Sequence, residues 1–85
     1  DDFAGATETA SQAVAFLELR HPKRTDLRSE AEFAYCLALA GLSSDRALSH
    51  CRRGTALAGE SGTRSPELLE KGRQAEIEAS GLLER

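Results

Sequence analysis

Apolar residues recur every three or four positions along most of the chain, which is the spacing of one face of an α-helix. Three breaks rich in glycine, proline, serine and threonine interrupt this pattern, at 21–26, 41–44 and 59–66. The pattern therefore predicts four helices. They cover about 5–20, 27–40 and 44–58, with the last running from 65 towards the end of the chain.

The second predicted helix contains "AEFAYCLALAGL", in which Glu32 is the only charged residue of twelve. A helix that is apolar on all sides must pack against neighbours on several sides. The short break after it makes the second and third helices antiparallel neighbours. Ser29 and Glu32 have the spacing of a capping box, although Thr25 or Asp26 equally fits as the cap one turn earlier.

Composition supports an all-α fold. Alanine and leucine dominate the apolar residues, whereas Val14 and Ile77 are the only valine and isoleucine. A chain of 85 residues allows one domain at most, so we predict a single helical domain over 1–85. Because methionine is absent, we also expect the sequence to be a piece of a longer polypeptide.

The charge argues against a nucleic-acid partner, since the formal net charge is −3 and the pI is about 5.3. The basic cluster "RHPKR" at 20–24 is predicted to be a solvated loop, with contact to an acidic partner as the alternative. Neither a signal peptide nor a membrane span is visible. We therefore expect no membrane contact and a cytoplasmic location.

Cys36 and Cys51 lie on apolar helical faces, and we predict reduced, buried thiols. A disulfide between adjacent helices is one alternative, and a metal site that also uses His50 is another. His50 and Cys51 are sequence neighbours, so they point about 100° apart on a helix, and no fourth ligand has a suitable spacing. We therefore predict no metal and no cofactor.

Catalytic motifs are not apparent. The sequence has no nucleophile motif, no glycine-rich phosphate loop and no histidine with an acidic partner at a fixed spacing. Glu30 and Glu32 fall on opposite sides of a helix, and we predict that the acidic side chains form solvated faces. The chain is therefore not predicted to be an enzyme.

Small and bulky residues follow a regular order in the middle of the chain. The positions are Phe33, Ala34, Leu37, Gly41, Ala47 and Gly54, preceded by the tail 15–22 and followed by Leu68, Gly72 and Ala75. This order resembles the tetratricopeptide repeat, a 34-residue pair of antiparallel helices that stacks on copies of itself. Small residues at Ala34, Ala47 and Gly54 are predicted to let helices approach closely. A plain four-helix bundle fits the same periodicity.

This resemblance implies a concave groove, lined by the first helix of each repeat, that receives a partner's peptide or helix. Equally open is the alternative that Tyr35 and Leu39 only pack against a neighbouring helix. The implied groove residues are Arg28, Tyr35 and Leu39 of the second helix and Leu69, Arg73, Glu76 and Ile77 of the fourth.

The family members that clamp a carboxyl terminus use lysine and asparagine where this chain has Ala31 and Tyr35, so that activity is not expected. The expected function is a non-enzymatic interaction module within a larger regulator or scaffold. The alternative is a self-assembling helical subunit or small secretion-type chaperone.

Overall fold

The computed structural model describes residues 2–60 and 65–84, and these residues form four helices with no strand among them. This confirms the predicted all-α fold with four helices. Part of the predicted break at 59–66 lies outside the described residues. The helices are α1 (Phe3–Arg20), α2 (Thr25–Gly41), α3 (Ala47–Ala58) and α4 (Pro66–Leu83).

Side chains cap the outer two helices. The Asp2 carboxylate accepts a hydrogen bond from the Gly5 amide at 2.9 Å, so α1 begins two residues earlier than predicted. Ser65 caps α4 by accepting from the Leu68 amide at 3.3 Å, with proline at the first helical position, as "SPE" suggests.

The capping-box reading of α2 is wrong. Ser29 and Glu32 are both buried in the interior of α2, which begins at Thr25 without a side-chain cap. The Ser29 hydroxyl donates instead to the Gly54 carbonyl of α3 at 2.7 Å. The two polar residues therefore hold α2 against α3.

The central helix is α2, which contacts each of the other three helices. This confirms the prediction from its apolar surface. Helix α3 also packs against α4, whereas within the described residues the backbone of α1 comes within 8 Å of α2 alone. The molecule measures 37 × 25 × 18 Å, and within the described residues no Cα atom of α1 lies within 8 Å of a Cα atom of α4.

The ring of Phe33, on α2, is buried and packs against both α3 and α4. A methyl group placed on Gly54 would lie 2.5 Å from this ring, and one placed on Gly72 would lie 2.6 Å from it. Glycine at both positions is therefore required by close approach. The predicted tight packing is confirmed at Ala47 and Gly54, which are buried, and is wrong at Ala34, which is exposed.

A disulfide joins Cys36 of α2 to Cys51 of α3, and both residues are fully buried. The predicted reduced thiols are therefore wrong, and the disulfide alternative is correct. The antiparallel pairing of α2 and α3 brings the two Cα atoms to 5.2 Å, a separation that the sequence does not reveal. Both sulfurs are used in this bond, and the described residues contain no cluster of three side chains suited to a metal.

Candidate functional site

A polar cluster is buried between α2 and α3. Glu32 is only 1% exposed, so the prediction of a solvated carboxylate is wrong at this position. Its Oε1 accepts from His50 Nδ1 at 2.7 Å, which places a ring proton on Nδ1, and its Oε2 lies 3.2 Å from Arg53 Nε. Arg53 also donates to Glu18 of α1 at 3.0 Å. The cluster thus ties three helices together around one buried charge.

His50 has an acidic partner that the sequence did not reveal, because Glu32 lies on a different helix, 18 positions away. The other side of its ring packs on Tyr35, with ring centroids 4.4 Å apart, and the Tyr35 hydroxyl accepts from Arg46 at 3.1 Å. A histidine oriented by a carboxylate is half of a catalytic arrangement that also needs a nucleophile. The nearby cysteines are bound in the disulfide and offer no thiolate. What the structure shows of the cluster is a set of contacts between helices, through Glu32 of α2, His50 and Arg53 of α3 and Glu18 of α1.

Replacing Glu32 with glutamine is expected to lower the free energy of unfolding by about 1–3 kcal/mol, because a buried charge-assisted network loses its anion. Chemical denaturation measures the effect. Glu30→Gln is the matched control, since Glu30 is on the same helix but pairs with Lys71 at the surface, and about 0–1 kcal/mol is expected there. Equal losses in the two variants would show that the buried cluster does not stabilise the fold.

The implied groove residues of α2 do not face solvent together. Arg28 donates to the Pro22 carbonyl at 2.8 Å, and Tyr35 is half-buried on His50. Leu39 is buried in the core and offers almost no surface to a partner. The apolar surface of α2 that the sequence assigned to a partner is used against the chain's own helices.

The implied groove residues of α4 do lie together. They line a surface cavity of about 550 Å³, which we call the α4 groove. Leu69 and Ile77 are 36% and 55% exposed, so both offer apolar surface to solvent. The groove is lined by Thr55 of α3 and by Leu69, Arg73, Glu76, Ile77, Ser80, Gly81 and Glu84 of α4.

Among the described residues that line it, the α4 groove has an excess of acidic charge, because Arg73, the one arginine among them, is already paired. Arg73 makes two hydrogen bonds to the Glu70 carboxylate, one of them 3.0 Å from Nε. Hydrogen bonds from Arg73 and then from Gln74 lower the pKa of Glu70 to about 2, so the pair stays charged at neutral pH. Glu76 and Glu84 then carry the unbalanced charge of the groove.

Two other cavities lie elsewhere on the surface. One of about 410 Å³ lies between α2 and α4, where Ala34 and Leu37 are accessible. Another of about 600 Å³ lies beside the basic loop and is lined by Lys23 and Arg24 among other charged residues. Arg24 pairs with Asp26 at 3.2 Å, and the loop is exposed, as expected of a solvated connection.

Comparison of the chain with protein-family models, with curated proteins and with solved structures finds no match. The resemblance to the tetratricopeptide repeat therefore stays a prediction. None of the helices in the described residues is long and apolar enough to span a bilayer.

Proposed function

We propose that the chain is a non-enzymatic interaction module that holds a helical segment of a partner protein in the α4 groove. The observation that carries the proposal is the exposure of Leu69 and Ile77 within one concave surface. Exposed apolar surface that is concave and rimmed by polar residues is typical of sites that bind a partner.

The spacing along α4 suits a partner helix. Leu69, Arg73 and Ile77 follow each other at intervals of four, so they form one stripe along the groove. An amphipathic helix laid along such a stripe buries its apolar face against Leu69 and Ile77. Glu76 and Glu84 favour a partner whose apolar face is flanked by basic residues, because opposite charges orient the encounter.

The disulfide bears on where this module works. Disulfides persist in oxidising compartments and are rare in the cytosol, where thiols are kept reduced. The buried Cys36–Cys51 bond therefore favours an oxidising compartment over the cytoplasmic location expected from the sequence. Its position away from the α4 groove supports a structural role within the module.

Ile77→Asp is expected to weaken partner binding at least about tenfold, because it places a charge where the partner's apolar face must dock. The measurement compares the proteins retained from an extract of the producing cells by the immobilised wild-type chain and by its variants, followed by titration of the retained protein. Leu42→Asp is the matched control, since Leu42 is a large apolar residue of similar exposure, 49%, outside the groove.

The wild type and Leu42→Asp should retain the same protein, and Ile77→Asp should lose it. Retention of that protein by Ile77→Asp, or its loss from both variants, would reject the groove as the binding site.

A further inference from the structure

Phenylalanine rings pack over helix glycines at three places in this chain. The ring of Phe33 covers Gly54 of α3 and Gly72 of α4, and the ring of Phe3 covers Gly41 at the end of α2. At each of these glycines, a methyl group would overlap the ring. The fold therefore uses one packing device repeatedly, an aromatic ring seated on the bare backbone of a neighbouring helix.

One phenylalanine, Phe16, and two helix glycines, Gly5 and Gly81, take no part in this packing, and a methyl group on Gly5 would meet the Asp2 carboxylate that caps its own helix. Phe16 of α1 is 55% exposed, and its ring contacts the exposed His21 at a centroid distance of 5.8 Å. A methyl group on Gly81 of α4 would meet nothing within 4 Å. Glycine weakens a helix relative to alanine, and no described neighbour requires it at Gly81, which lies in the α4 groove.

The charges around Phe16 and Gly81 are complementary. On α1, Leu19 and Arg20 follow Phe16 by three and four positions, so they share its exposed face, and Lys23 follows in the basic loop. In the α4 groove, Glu76 and Glu84 lie before and after Gly81. A helix that seats Phe16 on Gly81 therefore brings Arg20 towards a carboxylate whether it runs parallel or antiparallel to α4.

We propose that the occupant of the α4 groove is helix α1 of a second copy of this chain, with Phe16 seated on Gly81 and Leu19 beside Ile77. The proposal rests on the proposed function, because it names the occupant of the same groove. The contact joins two different surfaces, since the described residues that line the groove belong to α3 and α4 and none belongs to α1. Such a head-to-tail contact leaves one free α1 and one free groove on every open assembly, so assemblies grow with concentration until they close into a ring or continue as a filament.

A mixing experiment tests this arrangement. One variant carries Phe16→Glu and Leu19→Glu, which blocks α1 and keeps the groove, and the other carries Ile77→Asp, which blocks the groove and keeps α1. By analytical ultracentrifugation, the wild type should increase in mass with concentration, and each variant alone should stay monomeric. An equal mixture should form a one-to-one dimer that grows no further, because its remaining surfaces are both blocked.

Gly81→Ala supplies a second measurement that does not depend on disrupting the fold. It should raise the thermal midpoint of unfolding by about 2–8 °C, because alanine favours the helix and the added methyl meets nothing in the chain. The same methyl occupies the seat of Phe16, so association should weaken at least about tenfold. Higher stability with unchanged association would overturn the proposal.

The remaining outcomes are also decisive. A wild type that stays monomeric at every accessible concentration, or a mixture that does not dimerise, overturns the head-to-tail contact. A variant that still dimerises alone would show a symmetric interface and overturn it as well. Suppose that the wild type stays monomeric, and that Ile77→Asp loses a partner from the extract while Leu42→Asp retains it. The α4 groove is then the binding site, but its occupant is not a second copy of the chain. If that loss is also missing, the proposed function fails too.

Discussion

Replacing Phe33 with alanine is expected to lower the free energy of unfolding by about 3–5 kcal/mol, as large-to-small changes in a packed core do. The ring is buried where α2, α3 and α4 meet, and the glycines opposite it have no side chain that could fill the space. Urea denaturation monitored by circular dichroism measures the loss. Phe33→Leu, which keeps most of the buried apolar volume, should give a clearly smaller loss and remain folded enough to measure.

The same alanine substitution at two glycines of α4 should act in opposite directions. Gly72→Ala is expected to destabilise, because its methyl would lie 2.6 Å from the Phe33 ring, and overpacking of about 1–3 kcal/mol exceeds the roughly 1 kcal/mol gained in helix propensity. Gly81→Ala meets nothing and keeps that gain. Combining Gly72→Ala with Phe33→Ala removes the clash with the ring and leaves only the contact of the methyl with the Thr55 hydroxyl at 2.8 Å, so Gly72→Ala should cost less in the Phe33→Ala background than in the wild type.

A double-mutant cycle over Phe33 and Gly72 therefore has a definite expected sign. The double variant should lose less free energy of unfolding than the sum of the losses in the two single variants. Additive losses would mean that the ring does not rest on Gly72 in solution. A loss of stability in Gly81→Ala would show that the space around Gly81 is not open in solution. It would then also count against the contact of Phe16 with Gly81.

The helices could be predicted from the sequence because their signals are local. The period of three to four residues, the glycine-rich breaks and the Ser65 cap with its following proline each act within a few positions of the chain. The apolar sides of α2 likewise required several neighbours, and α2 does contact the three other helices. Gly54 on a buried stripe indicated close approach, although the sequence did not identify the ring of Phe33 as the group that approaches it.

The buried polar cluster could not be predicted because its members lie far apart in sequence. Glu32 meets His50 across 18 positions, and Arg53 reaches Glu18 across 35. Spacing rules detect partners on one helix, whereas these pairs exist because of how the helices pack. The sequence nonetheless contained a signal. Glu32 is the only charged residue in an otherwise apolar stretch, and such a residue is buried with its neighbours unless it lies on the solvent-exposed side of the helix. A buried carboxylate requires a partner, and His50 and Arg53 were available.

Of the implied groove, only the residues of α4 could be predicted from the sequence to line one surface, and the reason is the same. Leu69, Arg73 and Ile77 follow one stripe of α4 and line one cavity, as helical spacing implies. Arg28, Tyr35 and Leu39 also follow one stripe of α2, but periodicity does not say which stripe of a central helix is covered. That stripe faces α3 and the chain connection, so its apolar and aromatic members serve the core.

Removing the Cys36–Cys51 disulfide is expected to lower the free energy of unfolding by about 3 kcal/mol, because the bond closes a loop of 15 residues that the unfolded chain would otherwise leave open. For a domain of this size, that loss corresponds to a fall of about 10–25 °C in the thermal midpoint. Unfolding of the wild type should therefore shift strongly when a reductant is added. The variant with both cysteines replaced by alanine should not respond to the reductant.

Thiol counting in denaturant decides whether the bond exists before any stability is compared. The unreduced protein should take up no alkylating reagent, and the reduced protein should take up two equivalents, because Cys36 and Cys51 are its only cysteines. Two equivalents without reductant would mean free thiols and would remove the argument for an oxidising compartment. If the bond is present, α2 and α3 stay joined under oxidising conditions, and Phe33, Gly54 and the Glu32 cluster remain aligned because both helices keep one register.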